Sequence, residues 1–401
     1  MISVRQLYLS HVAQTSELPM MLEIDRAEGV FLFDTAGKRY YDMNSGISVS
    51  SLGHGHPDVV QAIKEQAGKY MHTMVYGEHV QTPQVQFAKL IIDQLGDQLN
   101  SVYYLNAGTE ATELAMKIAK RYTGRYNIAA CRNAYHGSTQ GAESLRSDED
   151  YKSAYLPLLP GVRHIDFNDI DSLDRLDDSI AGIVVEIVQG EAGVMLPSVP
   201  WLKALTDKCK KHQILLIADE IQSGFGRTGD LFAHQKYDIN PDILLIGKAM
   251  GGGMPIAGVV SSREIMDCLI KNPALGHIST FGGHPVCCAA AYASLKVLLE
   301  EDIIQSVREK ETYIKRRLSS HPIIKEVRSA GLMMAVETTN RKYLKHVVAK
   351  ALNLGVVIDW FLFNNRSFRV APPLIISMEE LEGACAILLQ AFDYAHEQYK
   401  K

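Results

Sequence analysis

A chain of 401 residues has room for two or three domains built around a substantial core. Its content of 47% hydrophobic and 22% charged residues is that of an ordinary globular protein, and a net charge of −5 excludes nucleic acid or an anionic membrane as the main partner. Residues 1–20 lack the apolar core of a signal peptide, the most apolar window (241–260) carries Lys248, and six cysteines without CxxC spacing predict reduced thiols in the cytoplasm.

Residues 20–43 alternate apolar and polar around a Thr35-Ala36-Gly37 turn, which predicts a small antiparallel β element. Helical patterning follows over 57–70 and 82–95. From about residue 100 the rhythm becomes strand, turn, helix. A short strand over 102–105 precedes a helix running to about Arg121, with Ala111, Leu114, Ala115, Ile118 and Ala119 on one face. Further apolar runs at 128–131, 183–188, 214–218 and 243–246 alternate with helices, so the expected class is α/β with a mostly parallel sheet. After Gly283 the pattern predicts helices over 286–299 and 303–318, and strands over 331–337, 355–359 and 367–370. Ser377 and Glu380 have capping-box spacing and open a last helix. The expected division is an N-terminal segment 1–47 contributing to a small domain, a large domain 48–283, and a small α+β domain 284–401.

Two of the apolar runs lead to charges. The run 214–218 ends on Asp219-Glu220, and the run 243–246 leads to Lys248. Buried parallel strands open at their carboxyl ends on the crevice where α/β sheets bind ligands, so a carboxylate and an amine are expected in one pocket. Burial lowers an amine's pKa and makes it nucleophilic, as a Schiff-base lysine requires. The bland alternative is an ion pair of Lys248 with Asp219 or Glu220, which leaves the following Gly251-Gly252-Gly253 without a purpose. Gly108-Thr109-Glu110, between a strand and a helix, has the makings of an anion site, against the simpler reading of Thr109 as an N-cap. Gly224-Phe225-Gly226-Arg227-Thr228-Gly229 matches GxGxxG, yet no helix follows at once and the next strand leads to a lysine. It is expected as a loop beside the pocket rather than a nicotinamide site. His54 and His56 precede Pro57 and suit a turn better than a metal. The joint reading is pyridoxal phosphate, with its phosphate on Gly108 and Thr109, its aldehyde on Lys248 and its pyridine nitrogen against Asp219.

In combination, AGTEA at 107–111, YHG at 135–137, EIVQGEAGV at 186–194, ADEIQSGFGRTG at 218–229, GKAMGGGMP at 247–255 and STFGGHP at 279–285 resemble the class III aminotransferases. These are pyridoxal-phosphate enzymes of fold type I, and the resemblance is greatest to the ornithine, acetylornithine and 4-aminobutyrate group. It implies Lys248 as the Schiff-base lysine, Asp219 as the partner of the pyridinium, and Gln222 beside the ring hydroxyl. Tyr135 and Ile221 would cover the two ring faces, and Gly108 and Thr109 would hold the phosphate together with Thr280 of the other subunit, hence a homodimer with shared active sites. Arg369 would grip the substrate α-carboxylate, and Glu191 would pair with it when an amine-bearing end must fit. Two positions depart from the pattern. Ser138 stands where relatives of this group carry an arginine for a distal carboxylate, and Ile47 where a substrate-binding tyrosine is found; Arg132 and Arg146 are the cations nearby in sequence. The implied activity is ping-pong amino transfer from an amine, ω-amino acid or amino acid to a keto acid. Alternatives are an aminomutase of the glutamate-1-semialdehyde type and, from another class, a nicotinamide oxidoreductase using residues 224–229.

Overall fold

The computed structural model describes residues 2–400. After a short helix, Val4–His11, the strands β1 (Ile24–Glu28), β2 (Phe31–Asp34) and β3 (Arg39–Asp42) form an antiparallel meander. The helix was not foreseen, because none of its residues is buried and it carries no core-facing stripe.

The large sheet comprises β4 (Ser101–Leu105), β5 (Asn127–Cys131), β6 (Val162–Ile165), β7 (Ile180–Glu186), β8 (Leu215–Asp219), β9 (Ile243–Ile246) and β10 (Ala257–Ser261), in the order β4-β10-β9-β8-β7-β5-β6. Strand β10 runs antiparallel to both neighbours, and the other pairings are parallel. All residues of β7, β8 and β9 are buried, as helices on both faces of a parallel sheet demand. Along β7, Ile183 and Val185 enter one hydrophobic layer and Val184 between them the other, the period of two that a strand imposes. Each such valine or isoleucine contributes about 1.5–3 kcal/mol over its exposed state. The helix Gly108–Thr123 packs on this sheet through the face predicted for it and stops at Gly124, whose φ of 70° suits a left-handed cap.

A second small sheet holds β11 (Ile324–Ala330), β12 (Met333–Thr338), β14 (Asp359–Trp360) and β15 (Ser367–Val370), while β13 (Val356–Val357) pairs in parallel with β3. The single strand expected over 355–359 is therefore two, in different sheets. The chain breaks its pairing at Ile358, where it leaves the β3 edge for the β15 edge. The last helix starts at Met378 behind the foreseen capping box, Ser377 N–H donating to Glu380 Oε2 at 2.8 Å and Glu380 N–H to Ser377 Oγ at 3.2 Å. Among the described residues no helix is long and apolar enough to cross a membrane.

The glycines at 224–229 do not border the cavity. A Cβ on Gly226 would meet Ile304 and Leu374, and one on Gly229 would meet Arg308, so the loop packs on the helix Ile303–Ser319. Its centre is the buried Arg227, which donates to the carbonyls of Leu332 at 3.0 Å and Pro372 at 2.6 Å, and to Ser51 Oγ at 3.3 Å. The motif is a structural clasp between three distant parts of the chain.

Candidate active site

A cavity of about 440 Å³ opens at the carboxyl ends of β7 and β8 and at the start of the helix Gly108–Thr123. It brings together Gly108, Thr109, Tyr135, Ser138, Glu191, Asp219, Ile221, Gln222 and Lys248, nine of the residues singled out from the sequence. The strand ends do this: Glu186 and Asp219 lie in register as the last residues of β7 and β8, and Lys248 follows β9 by two residues.

Lys248 has a left-handed φ of 47°, an uncommon backbone state for a lysine that a tight structure must impose. Burial pulls its amine below the ordinary lysine range, the carboxylates of Glu191 and Asp219 oppose that shift, and Arg369 adds to it. The plain ion pair is not what forms. Asp219 accepts from His136 Nδ1 at 2.6 Å and from Ile221 N–H at 3.1 Å. Glu220 turns the other way and accepts from His234 Nδ1 and the N–H groups of Ala233 and His234.

His136 is fully enclosed beside Asp219, and its Nε2 has no partner. Burial pulls its pKa down, but the bonded Asp219 carboxylate outweighs burial and the net direction is upward. Glu186 accepts N–H bonds from Tyr135 at 2.9 Å and Gly190 at 2.8 Å, and burial pushes its carboxyl up to about 7. Neither residue was assigned a role from the sequence, although both stand inside the quoted motifs.

At the other end of the cavity the helix begins at Gly108 with no side-chain cap, so its first N–H groups are free to meet an anion. Thr109 is not the cap. Its hydroxyl lies 2.8 Å from that of Thr139, which itself donates to the Glu113 carboxylate, so the Thr109 proton is committed to Thr139. Gly137, with φ 122°, packs so closely that a Cβ there would lie 2.3 Å from Thr109 Oγ1. Ile221 presses on Gly108, where a Cβ would fall 2.9 Å from Ile221 Cδ1, and Tyr135 and Ile221 supply apolar walls.

Arg369, on β15, is buried and bonds Glu191 Oε1 through Nη2 at 2.6 Å. A second acid, Asp359 on β14, stands opposite it with Oδ2 3.6 Å from Nη1. Burial pushes the Asp359 carboxyl up to about 6, with Arg369 opposing. Ser138 lines the cavity and its hydroxyl lies 3.2 Å from that of Tyr135.

Three expected residues do not line the cavity of their own chain: Arg369, which reaches it only through Glu191, and Thr280 and Ile47. Thr280 is exposed, and its carbonyl accepts from His72 Nε2 at 2.7 Å. Ile47 is 39% exposed and belongs to a left-handed turn in which Ser45, Gly46, Ile47 and Ser48 all have φ between 53° and 64°. Consecutive residues of that hand are rare, and for a β-branched side chain the conformation is strained. Asp42 holds the turn by accepting from the N–H groups of Asn44 and Ser45, and its other oxygen binds His54 Nε2 at 2.9 Å. Of the two nearby arginines, Arg132 faces solvent and pairs with Asp166 at 3.2 Å, while Arg146 is buried against Glu143.

A family model for class III aminotransferases matches residues 12–392. An acetylornithine aminotransferase of Methanopyrus kandleri is 36% identical over 385 residues, 95% of this chain and 96% of that one. The ornithine aminotransferase 2 of Staphylococcus aureus is 36% identical over 397 residues, 96% of this chain and 97% of its own. Among solved structures, an ornithine aminotransferase from Toxoplasma gondii, described with partial occupancy of pyridoxal phosphate at its active site, superposes with a TM-score of 0.92 at 31% identity over 100% of this chain and 97% of that one. An acetylornithine aminotransferase from Elizabethkingia anophelis gives 0.84 at 32% identity, covering 96% and 97%.

Proposed function

This chain belongs to the class III aminotransferases, whose cofactor is pyridoxal phosphate, and from that premise we propose the cavity beneath Tyr135 as the place where an amino group passes from an amine, ω-amino acid or amino acid to a keto acid. One observation carries the reading: an amine of lowered pKa, a buried acid braced by histidine and an uncapped helix start all border one cavity. These residues fit the cofactor group by group. The glycine contacts around Thr109 leave room at the helix start, and Asp219 retains lone pairs beside the bonds it makes to His136 and Ile221.

When bound, pyridoxal phosphate supplies the electron sink and the carrier for the amino group. Gly108 and Thr109 would hold its phosphate through backbone N–H groups, since the Thr109 hydroxyl is spent on Thr139. Asp219 would hold the pyridine nitrogen, with Gln222 beside the ring hydroxyl and with Tyr135 and Ile221 on the two ring faces. Lys248 Nζ would hold the cofactor covalently at rest. As a free amine, that atom would take a proton from the donor carbon and pass it on as the conjugate acid, a general base and acid role worth about 10²–10⁴-fold. Arg369 would bind a substrate carboxylate by its fork when Glu191 swings away, and Glu191 would stay paired when an amine-bearing end occupies the same place. Because one site serves both substrates in turn, ping-pong kinetics are expected.

Thr280 would complete the phosphate site of a second copy, which makes the unit a homodimer; its exposure and its distance from its own cavity support that assignment. Residues 1–47 and 284–401 would form the small domain against 48–283, in keeping with the pairing of β13 with β3. The aminomutase reading is not favoured, since the relatives are aminotransferases, and the nicotinamide reading loses its glycines to the Arg227 clasp.

Borohydride reduction of the cofactor-loaded protein, digestion and mass spectrometry should place a pyridoxyl group on the Lys248 peptide. A panel of amines and keto acids should then show transfer in two separable halves. A pyridoxyl group on another lysine would overturn the assignment.

A further inference from the structure

Two walls of the cavity come from separate loops. The loop after β5 carries Tyr135, and the loop after β7 carries Val188 and Glu191. A single side chain, Glu186 at the end of β7, holds both loops. Its Oε1 accepts from Tyr135 N–H at 2.9 Å and its Oε2 from Gly190 N–H at 2.8 Å. Gln222 lies against Gly190, so closely that a Cβ there would fall 1.9 Å from Gln222 Oε1. Beyond Gly190 the loop is pinned again: the Glu191 carbonyl accepts from Phe363 N–H and its Oε2 from Leu362 N–H, both at 3.1 Å. Tyr135, Gln222 and Glu191 therefore belong to one frame, with the Glu186 carboxylate at its centre.

The bland account is a strand-end acid that satisfies two backbone donors for the sake of stability. It explains each bond taken singly, but not the charge. Glu186 is buried and in register with the buried Asp219 on β8, so two carboxylates line the cavity side by side. Both Glu186 oxygens are committed to neutral N–H groups, and burial pushes the carboxyl up to about 7. Burying an anion on such terms is unfavourable. A glutamine of the same shape would avoid the charge, but an amide accepts at one tip only. Two N–H groups that reach one side chain from two separate loops need an acceptor at both tips, which a carboxylate offers.

We propose that Glu186 is a positioning residue, whose two oxygens fix the separation of the Tyr135 and Gly190 loops and so set Tyr135, over the cofactor ring, against Gln222, beside the ring hydroxyl. The inference rests on the pyridoxal phosphate reading above. In this role Glu186 acts through two backbone amides and bonds neither cofactor nor substrate. Releasing either amide lets one loop drift, and the ring is then held in more than one orientation.

Isotopic labelling of tyrosine and glycine makes both amides readable by NMR in the cofactor-loaded protein, without turnover. In wild type both should exchange slowly with solvent. Glu186→Gln keeps the shape and one acceptor, and should speed the exchange of one of the two amides about tenfold or more while the other stays protected. Glu186→Asp keeps the charge and both oxygens but is shorter by a methylene, and should release at least one amide to the same extent. In both variants the visible circular dichroism per bound pyridoxal phosphate should fall by about half or more, as a ring held less closely requires. A role in stability alone predicts faster exchange throughout the chain with the dichroism unchanged, and a role of the charge alone predicts that Glu186→Asp behaves as wild type. Either result, or two amides that keep their protection in Glu186→Gln, overturns the proposal. Failure of the cofactor reading looks different: wild type binds no pyridoxal phosphate, while the two amides still respond to Glu186.

Discussion

Asp359 lies directly opposite Arg369 on adjacent antiparallel strands, its Oδ2 3.6 Å from a guanidinium that Glu191 already holds at 2.6 Å. Two acids thus share one buried cation, and with all three ionised the cluster carries one net negative charge. Asp359 Oδ1, Arg369 Nε and Arg369 Nη1 make no hydrogen bond, so the cluster is not a closed network. On the proposed role of Arg369, a substrate carboxylate would have to compete with both acids, whereas an amine would meet attraction.

Asp359 should therefore affect both stability and acceptor use. Burial pushes its carboxyl up to about 6 from an ordinary 3.8. An acid whose folded-state value lies above its unfolded one favours folding while protonated. Its contribution is full below about pH 4 and lost as pH rises through about 6. At about 1.36 kcal/mol per unit the shift amounts to roughly 3 kcal/mol, and the 21% side-chain exposure discounts it to about 1–2 kcal/mol. In urea unfolding, Asp359→Asn should exceed wild type by about 1–2 kcal/mol near pH 7.5 and match it near pH 4. In kinetics the same variant should lower the KM for keto acid about threefold or more and raise that for a diamine donor, as loss of one carboxylate beside Arg369 requires. A KM ratio that does not move would show that Glu191 alone sets the charge at this arginine.

Asp219, Lys248 and Gly108-Thr109 were legible because each stands where a recognisable element ends: an apolar run closing on a charge, or a glycine opening an amphipathic helix. Asp359 obeys the same rule at the end of the run 355–359. Its partner was not legible, since the break at Ile358 sends β13 and β14 to different sheets and only the second faces Arg369. Glu186 and His136 become neighbours of Asp219 through the registry of β7 with β8 and through the loop after β5, which are long-range facts with no local signature. The spacing at 224–229, expected as a loop beside the pocket rather than a nucleotide site, belongs to a loop that does not border the cavity. Its glycines suit close packing on the helix Ile303–Ser319, not a phosphate, and the informative residue between them was Arg227.

The Arg227 clasp leads to a stability prediction away from the chemistry. Three acceptors from residues 51, 332 and 372 converge on one fully buried guanidinium, whose pKa burial pushes down to about 9. Arg227→Met matches much of the volume and leaves those acceptors unpaired, at about 1–3 kcal/mol each before relaxation. The expected net loss is about 3 kcal/mol, read as a lower urea midpoint, and Arg227→Lys should lose roughly half as much because a single ammonium reaches fewer of the three. Stability within about 0.5 kcal/mol of wild type for the methionine variant would mean that water replaces the clasp at little cost.

His136 should matter through Asp219. The imidazole Nδ1 donates to Asp219 Oδ2 at 2.6 Å inside an enclosed site, and a carboxylate only accepts, so the proton sits on Nδ1. A hydrogen bond to a charged group of this kind is worth about 1.5–3 kcal/mol, or about 10- to 150-fold in an equilibrium. If Asp219 holds the pyridine nitrogen, removing the donor frees the carboxylate to turn and weakens its hold on the ring. His136→Leu should thus raise the dissociation constant for pyridoxal phosphate about 10- to 100-fold, followed by cofactor fluorescence, and lower kcat by about tenfold. His136→Asn places an amide N–H near the position of Nδ1 and should recover most of both losses. A purely space-filling histidine predicts the opposite order, with leucine the better tolerated of the two, so the ranking of the pair decides whether the bond or the bulk of His136 serves Asp219.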